Sequence, residues 1–517
     1  MQDRNAHLNA QPSTRAQVRI ALLLLALTVA TRLAFFVPGV INWDESTFIL
    51  MAQEVVDGRL PYVTLWDLKP PLLFVIIAGA IAAFGHDVAA VRLAGLLCVF
   101  IAALQIHLLA SRRWDARTAW TAAVLFIIAA SAVKDGQATM SEYVTLPFLL
   151  AATLVAGRPL TVGRAFAMGA LLGVATLVRL NLAYVALGLG LWLAWTHRSL
   201  GIRRLAALLA SYAIGGLAVL VLTALPWALH GSLGLFVYSV FEAPLLYTQS
   251  FEGPLHVAGQ LGRWALGLDK PAGFSNRGMW IGLSIWLVAA VGLVACVRRD
   301  RAGSGTPATL SSAIGVATLL VSISIVMSGN PQSHYLIQLL PFACLYAAYA
   351  YGQVFTGITS KLARPLLAIA VIVMLAPTVQ ATAKAVRQLH AGQLDRGPAY
   401  RIAEFLGPRC GDSCSVYLLI DHLAYWLLDK QPPSRAVTHP SNITKAYLLR
   451  PEIGAHATPA QEMAWILDQR PTYIVTRRDP WYLRGDASGA VLERHLRDHY
   501  RQVWEIKGRL VFERTTP

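Results

Sequence analysis

The chain has 517 residues, of which 56% are hydrophobic and 14% charged, and its formal net charge is +16. Apolar runs recur from residue 20 to about 380, which excludes a single soluble domain and favours a polytopic helical membrane protein. The positive charge does not indicate nucleic-acid binding. Much of it lies in short loops between apolar runs, where Lys and Arg set the orientation of membrane proteins.

Hydrophobicity predicts about eleven transmembrane helices, each near or slightly below the ~20 residues that a bilayer needs. They cover residues 20–38, 88–110, 116–133, 142–157, 163–179, 182–196, 205–229, 278–297, 309–328, 335–353 and 363–380. Arg15 and Arg19 precede the first span and put the N-terminus inside. Residues 71–85 are too few to cross and are interpreted as an interfacial or re-entrant helix on the outer side, because a span there would reverse the charge bias of the later loops.

The composition divides the chain into three regions: a cytoplasmic tail (1–19), a membrane domain (20–383) with outer loops 39–87 and 230–277, and an extracytoplasmic domain (384–517). The last region is polar and mixed. Strands at 415–420 and 472–476, helices at 399–406 and 458–468, and a closing hairpin around Lys507 and Gly508 predict a small α/β domain.

Two cysteines of this last region, Cys410 and Cys414, fit an oxidised hairpin outside the cytoplasm. Two free thiols are the alternative. A metal site is not expected from two ligands that have no histidine at a matching spacing.

Acidic and basic residues gather in the loops assigned to the outer face. Asp44 and Glu45 follow the first span, and Asp67 and Lys69 lie later in the same loop. A carboxylate close to the hydrocarbon boundary loses solvation, so it persists where it faces a polar cavity, a cation or a reacting group. The same face carries Arg92, Asp135, Glu142, Arg179, His256 and His334. This one-sided set favours an enzyme over a transporter, whose polar groups would lie at the membrane midplane.

Several local patterns together resemble the GT-C superfamily of membrane glycosyltransferases. They are the acid pair Asp44 and Glu45 after the first span, Lys69-Pro70-Pro71 opening a short apolar helix, Arg92 in Ala-Ala-Val-Arg-Leu, and Glu142 heading a later span. Within the superfamily, residues 20–380 look most like the branch of protein O-mannosyltransferases and lipid A aminoarabinose transferases, often labelled families 39 and 83.

This resemblance implies an enzyme of the bacterial inner membrane with its active site facing the periplasm. Such an enzyme takes a sugar from a polyprenyl-phosphate carrier and passes it to an envelope acceptor, generally with inversion. The expected partners are therefore the lipid-linked donor, a glycan, lipid or protein acceptor, and membrane lipid, with no nucleic acid.

The reaction builds positive charge on the sugar and negative charge on the leaving phosphate, while the acceptor hydroxyl loses a proton. By the resemblance, Asp44 is the general base and Glu45 is its rival. Lys69 and Arg179 are assigned to the donor phosphate, together with Arg92. Glu142 matches a second acid, which orients the acceptor or helps to bind a divalent cation.

Four further residues are assigned to the acceptor or to a metal: Asp67, Asp135, His256 and His334. In the aminoarabinose branch an acid directly precedes the lysine, whereas Leu68 stands there in this chain, so no metal site is claimed and a divalent cation remains an open requirement. Plainer interpretations also stay open. Asp44 caps a helix, Lys69 contacts lipid phosphate, Arg92 pairs with a loop acid, and Arg179 anchors a helix end.

Two other functions remain alternatives: an O-antigen ligase or polymerase of a different membrane fold, and a transporter or flippase for lipid-linked sugars. The sequence does not identify the sugar or the acceptor, because no residue type is specific to one of them. Lipid A, other lipopolysaccharide or cell-wall glycans and a protein hydroxyl all remain as acceptors.

Overall fold

The computed structural model describes residues 13–249, 253–268, 277–302, 308–454 and 457–515. Parts of the predicted tail (1–12) and of the predicted loop 230–277 (250–252 and 269–276) lie outside the described residues. In chain order the helices up to residue 229 are α1 (Thr14–Arg32), α2 (Trp43–Val56), α3 (Pro71–Phe84), α4 (Val88–Arg113), α5 (Ala116–Ala132), α6 (Ser141–Ala156), α7 (Val162–Val178), α8 (Ala183–Thr196) and α9 (Ile202–Leu229).

The later helices and the four strands complete the fold. The helices are α10 (Leu233–Val237), α11 (Ala243–Gln249), α12 (Pro254–Ala265), α13 (Arg277–Ile281), α14 (Val288–Arg301), α15 (Ala308–Val326), α16 (Leu340–Tyr349), α17 (Gly357–His390), α18 (Pro398–Leu406), α19 (Leu423–Leu427), α20 (Ala446–Ile453), α21 (Pro459–Asp468) and α22 (Ala487–His499). The strands are β1 (Val416–Leu418), β2 (Tyr473–Arg477), β3 (Tyr500–Ile506) and β4 (Arg509–Arg514). Short π-helical segments join α10 to α11 and α13 to α14.

A helix lies at each of the eleven predicted spans. Within the described residues, six helical stretches are long and apolar enough to cross a membrane: Thr14–Phe36, Val88–Arg113, Ile202–Leu229, Gly278–Arg301, Thr309–Val326 and Gly357–His390. Other apolar helices, such as α5, α6 and α7, are shorter.

The helix α3 corresponds to the run interpreted as non-spanning. It begins at Pro71, which suits the first helical position because that residue needs no amide hydrogen. With 14 residues it is about 21 Å long, against ~30 Å for a hydrocarbon core. It packs against α2, where the Phe48 and Phe74 rings lie 6.5 Å apart. Its position relative to a membrane stays a prediction.

The chain divides into two compact units. Unit 1 comprises Met1–Phe35, Ala94–Leu222 and Phe251–Arg387. Within it α6 packs on α7, α5 on α16, and α14 on α16. Small residues permit close helix contacts: a Cβ at Gly169 of α7 would lie 1.9 Å from the carbonyl oxygen of Tyr212 on α9.

Unit 2 comprises Phe36–Leu93, Thr223–Ser250 and Gln388–Pro517. Its four-stranded sheet has the order β1-β2-β4-β3, with β1 parallel to β2 and the other pairs antiparallel. The predicted hairpin turn is present between β3 and β4. Lys507 and Gly508 both have positive φ, 48° and 74°, as a two-residue type I′ turn requires.

Unit 2 combines stretches of the chain that are far apart in sequence. It joins the predicted outer loop 39–87 to the C-terminal region that the sequence sets apart from residue 384 onwards. The Trp66 amide donates to the Arg435 carbonyl at 2.9 Å, and Trp426 Nε1 donates to Gln53 Oε1 at 2.9 Å. The predicted domains are continuous stretches of the chain, and their boundaries stay a prediction. Each compact unit instead combines three separate stretches.

Candidate active site

The acid pair occupies the first turn of α2. The side chain of Asn42 caps this helix by accepting a hydrogen bond from the Asp44 amide at 2.8 Å. A helix N-terminus favours carboxylates because its amide groups carry partial positive charge. Adjacent helical residues point about 100° apart, so Asp44 and Glu45 face different surroundings.

Glu45 forms a buried, bidentate ion pair with Arg92. Arg92 Nε donates to Oε1 at 2.8 Å and Nη2 donates to Oε2 at 2.6 Å, and both side chains are 1% exposed. Arg92 also donates to the carbonyls of Pro38 at 2.9 Å and Gly39 at 3.2 Å. Such a two-pronged, desolvated pair fixes the loop to α4. It favours Asp44 over Glu45 as the base, and it gives Arg92 a structural partner.

Asp44 lies in a more accessible setting, with its side chain 24% exposed. Its Oδ2 is 3.9 Å from Lys69 Nζ, and its Oδ1 is 3.7 Å from His439 Nε2. Each carboxylate oxygen therefore faces a different nitrogen. Solvent access and two flanking nitrogen groups are the features that distinguish Asp44 from its neighbour.

The backbone around Lys69 is held by two side chains. Asp67 Oδ1 accepts from the Lys69 amide at 3.0 Å, which is the local turn that Asp residues form two positions before an amide. The hydroxyl of Tyr62, a fully buried residue, donates to the Lys69 carbonyl at 2.6 Å. The Lys-Pro-Pro sequence then enters α3, so the lysine is mounted on an ordered turn. Asp67, predicted as an acceptor or metal residue, is engaged in shaping this turn.

The segment 434–445 completes this cluster from far along the chain. Thr47 Oγ1 donates to the Thr438 carbonyl at 2.8 Å, and Thr438 Oγ1 donates to the Trp66 carbonyl at 2.8 Å. These bonds bring His439 and Lys445 beside the first-loop residues. Neither residue could be identified from the sequence, because no motif or spacing in that segment distinguishes them from ordinary polar residues of a surface loop.

Burial shifts the pKa values of several groups in the cluster. It raises the pKa of Asp67, an effect that the positive charge of Lys69 opposes. It lowers the pKa of His439 to about 4, although Asp44 favours the charged imidazole. Burial also lowers the pKa of Lys445, against the attraction of Asp67. His439 is consequently neutral near pH 7.

A second polar cluster lies within unit 1, at the first turn of α6. Glu142 is fully buried, and its Oε1 lies 2.9 Å from Arg179 Nη1 and 3.7 Å from His334 Nε2. Arg179 also donates to Ser141 Oγ at 2.9 Å, and its guanidinium lies 4.4 Å from the centroid of the Tyr335 ring. The structure thus brings together three residues that the sequence analysis assigned separately.

The remaining predicted residues occupy other places. Asp135 is half-buried in a tight turn of unit 1, with a positive φ of 59°. His256 is exposed on α12 of the same unit. Cys410 and Cys414 are joined by a disulfide in unit 2, with Cα atoms 5.1 Å apart. Across the described ranges, no three His, Cys, Asp or Glu side chains come together as a metal-binding group.

The cluster in unit 2 combines groups suited to acid–base and anion chemistry. Asp44 supplies a carboxylate that solvent can reach, and Lys69 supplies an ammonium that binds anions as a compact point charge. A neutral imidazole adds a hydrogen-bond donor. Together these groups can accept a proton from a hydroxyl and bind a phosphate.

Comparison with known proteins identifies related sequences and folds. Residues 68–227 match the family model described as dolichyl-phosphate-mannose-protein mannosyltransferase. This stretch includes Lys69, Arg92, Glu142 and Arg179. No curated protein sequence matches the chain.

Solved structures resemble the chain over almost its whole length. Two crystal structures of ArnT from Cupriavidus metallidurans are each 15% identical to this chain. For the form bound to undecaprenyl phosphate the TM-score is 0.61, and the match covers 96% of this chain and 97% of ArnT. For the apo form the TM-score is 0.62, and the match covers 96% of this chain and 98% of ArnT. The archaeal oligosaccharyltransferase AglB from Archaeoglobus fulgidus, in complex with an inhibitory peptide and a dolichol-phosphate, is 13% identical with a TM-score of 0.53, and the match covers 97% of this chain and 74% of that protein. At these identities the likeness shows a common fold.

Proposed function

Because the chain has the membrane fold of the GT-C superfamily, we propose that it is a glycosyltransferase that uses a polyprenyl-phosphate sugar as donor. The acceptor is an envelope glycan, lipid A or a protein hydroxyl at the outer face of the bacterial inner membrane, and transfer proceeds with inversion. The undecaprenyl phosphate bound to ArnT and the dolichol-phosphate bound to AglB support a lipid-phosphate carrier.

The observation on which this proposal rests is the placement of Asp44 beside Lys69, with 3.9 Å between Oδ2 and Nζ. Asp44 is the proposed general base for the acceptor hydroxyl, and Lys69 is the proposed ligand of the donor phosphate. In an inverting displacement the hydroxyl oxygen attacks the anomeric carbon from the side opposite to the phosphate. The bond to the phosphate oxygen breaks, and the proton goes to Asp44.

The ion pair describes the resting enzyme, since base and phosphate ligand must flank the sugar when it reacts. The four-carbon stem of lysine is flexible, so Lys69 can turn towards the donor phosphate. When it does, Asp44 loses a competing charge and becomes available to the acceptor. Donor binding therefore activates the base in this mechanism.

For the cluster in unit 1 we keep the roles that its residue types suggest. Arg179, which Glu142 and the Tyr335 ring hold in one orientation, is the second proposed phosphate ligand. Glu142 is proposed to fix Arg179 and to help orient the acceptor. No step of the mechanism is assigned to a metal ion.

Reconstitution tests the proposal directly. The purified protein in proteoliposomes is given an undecaprenyl-phosphate sugar together with an envelope lipid and glycan fraction, and release of undecaprenyl phosphate is followed by mass spectrometry. Asp44→Asn is expected to reduce release by roughly 10²- to 10⁴-fold, the usual contribution of a positioned base. The matched control is Asp57→Asn at the other end of α2, which removes an exposed carboxylate paired with Arg59 and should keep wild-type turnover.

The products separate this proposal from its alternatives. Release of the carrier as a diphosphate would indicate a ligase or polymerase that uses diphosphate-linked donors. Movement of the intact lipid-linked sugar across the bilayer without carrier release would indicate a flippase. If Asp44→Asn kept full turnover and Glu45→Gln lost it, the general base would be Glu45, and the assignment to Asp44 would be wrong.

A further inference from the structure

We propose that His439 is a positioning residue whose Nε2 faces the Asp44 carboxylate and closes to a hydrogen bond with it when substrate is bound, so that the C-terminal part of unit 2 takes part in catalysis. The inference rests on the proposed function. Its geometric basis is the 3.7 Å separation between His439 Nε2 and Asp44 Oδ1, a few tenths of an ångström longer than a hydrogen bond, whereas Lys69 is near the other oxygen, Oδ2.

The hydrogen bonds of the imidazole define its tautomer. The Ser441 amide donates to His439 Nδ1 at 3.3 Å, and the Ser441 hydroxyl lies 3.0 Å from the same nitrogen. A backbone N–H can only donate, so Nδ1 is the acceptor and carries no proton. In the neutral ring the proton is then on Nε2, the nitrogen that faces Asp44.

The charged and titratable groups around His439 favour the neutral ring. Asp44 attracts a proton to the imidazole, whereas Lys69, Lys445 and burial act in the opposite sense. His422, a buried histidine whose pKa is lowered to about 3, also interacts with it. His439 therefore stays neutral over the range in which a carboxylate base works, and its Nε2 remains a donor.

Packing fixes the imidazole relative to the carboxylate. The Trp43 ring meets the His439 ring edge to face at 6.0 Å, with an interplanar angle of 73°. The adjacent residue, Thr438, forms hydrogen bonds with two parts of the predicted outer loop 39–87. The Thr47 hydroxyl donates to the Thr438 carbonyl, and the Thr438 hydroxyl donates to the Trp66 carbonyl. Asn442 Nδ2 donates to the Thr438 hydroxyl at 3.1 Å and tightens the turn. The position of His439 is thus fixed by contacts with residues that neighbour Asp44.

This arrangement assigns His439 a role distinct from proton transfer. Nε2 already carries a proton, so the ring cannot take the proton that Asp44 removes from the acceptor hydroxyl. That proton stays on Asp44 until it exchanges with solvent. When the two atoms close to hydrogen-bond distance, the Nε2–H orients the carboxylate and stabilises its charged form, which is the form that acts as base.

The test compares His439→Ala and His439→Gln in the full-length protein, with undecaprenyl-phosphate sugar as the probe. His439→Ala should lower kcat by roughly 10- to 100-fold, because the carboxylate loses its orienting donor. His439→Gln, whose amide is also a neutral donor, should retain turnover within about fivefold of wild type. The matched control is His499→Ala, an exposed histidine of the same unit, which should behave as wild type.

Two readouts distinguish positioning from mere structural support. A carboxylate that loses a donor holds its proton more tightly, so the acidic limb of kcat/KM in His439→Ala should move upward by roughly half to one pH unit. In the Asp44→Asn background, His439→Ala should cause little further loss of turnover, since His439 acts only through the Asp44 carboxylate. Thermal midpoints in detergent, compared with wild type, identify any folding defect in the alanine variant.

Several results would overturn the inference. The first is a His439→Ala variant with wild-type kcat and pH profile. The second is a double variant in which the losses of turnover from Asp44→Asn and His439→Ala multiply. The third is a folded His439→Gln variant as inactive as His439→Ala, which would indicate a proton relay. An absence of turnover in the wild type would instead contradict the proposed function, so the two failures are distinguishable.

Discussion

Breaking the Glu45–Arg92 pair should destabilise the protein far more than it changes the chemistry. Both side chains are 1% exposed, and both oxygens of Glu45 accept from the guanidinium. Glu45→Gln removes the negative charge and leaves Arg92 buried without it. Removing one partner of a buried pair costs about 3–5 kcal/mol, whereas an exposed pair contributes about 0–1 kcal/mol. The expected loss therefore corresponds to a roughly 10²- to 10⁴-fold change in the folding equilibrium.

The assay measures thermal midpoint and turnover on the same detergent-purified samples. The matched control is Glu404→Gln, which breaks the exposed pair with Arg401 in the same unit and should leave the midpoint nearly unchanged. The double variant Glu45→Leu with Arg92→Met replaces both charges by apolar groups and should recover much of the lost stability. Turnover per folded molecule should remain within about tenfold of wild type in Glu45→Gln, because Asp44 is still present.

One result would refute this reasoning. If Glu45→Gln kept its thermal midpoint but lost turnover by 10²-fold or more, Glu45 would be acting on the substrate. The assignment of the base to Asp44 and the structural role of Arg92 would then both be wrong.

Three further changes have defined expectations. Lys69→Ala should raise the KM for the lipid-linked donor more than that for the acceptor, and Lys69→Arg should recover part of the donor affinity. Equal KM values for the donor in the wild type and both variants would remove Lys69 from the phosphate site. Glu142→Gln should lower the thermal midpoint by an amount equivalent to about 3–5 kcal/mol, because Arg179 is 7% exposed and loses its counter-ion, and an unchanged midpoint would show that the pair contributes nothing to stability. Cys410→Ser should cost about 2 kcal/mol, as expected for a disulfide with a sequence separation of 4, and a wild-type midpoint insensitive to reductant would contradict this.

Much of the fold could be predicted from the sequence because hydrophobicity is a local property. A membrane-spanning helix must be apolar along its own length, so the helix at each predicted span could be located without knowledge of its neighbours. Strand and turn patterns in the C-terminal region were equally local: the positive φ values at Lys507 and Gly508 follow from the two-residue hairpin turn. The predicted helical membrane fold with a small C-terminal sheet is confirmed by its likeness to the crystal structures of ArnT.

The candidate site could be predicted only in part. Asp44, Lys69, Glu142 and Arg179 were identified by their residue types beside apolar runs, but the pairing of Glu142 with Arg179 required the packing of α6 near the turn after α7. The choice between two adjacent acids also required structure. A one-residue step on a helix turns a side chain by about 100°, which separates the buried Glu45 from the accessible Asp44.

The amino-acid order on its own determined the helical membrane character, the acid pair, the Lys-Pro-Pro turn and the strand and hairpin segments of the C-terminal region, because each depends on residues that are neighbours in the chain. Tertiary structure alone decided that Arg92 neutralises Glu45 and that His439 and Lys445 stand beside Asp44 and Asp67. Those contacts join residues that are distant in sequence and form only when the chain is folded; the hydrogen bonds of Thr438 with Thr47 and Trp66 bring the segment of His439 and Lys445 to the first loop.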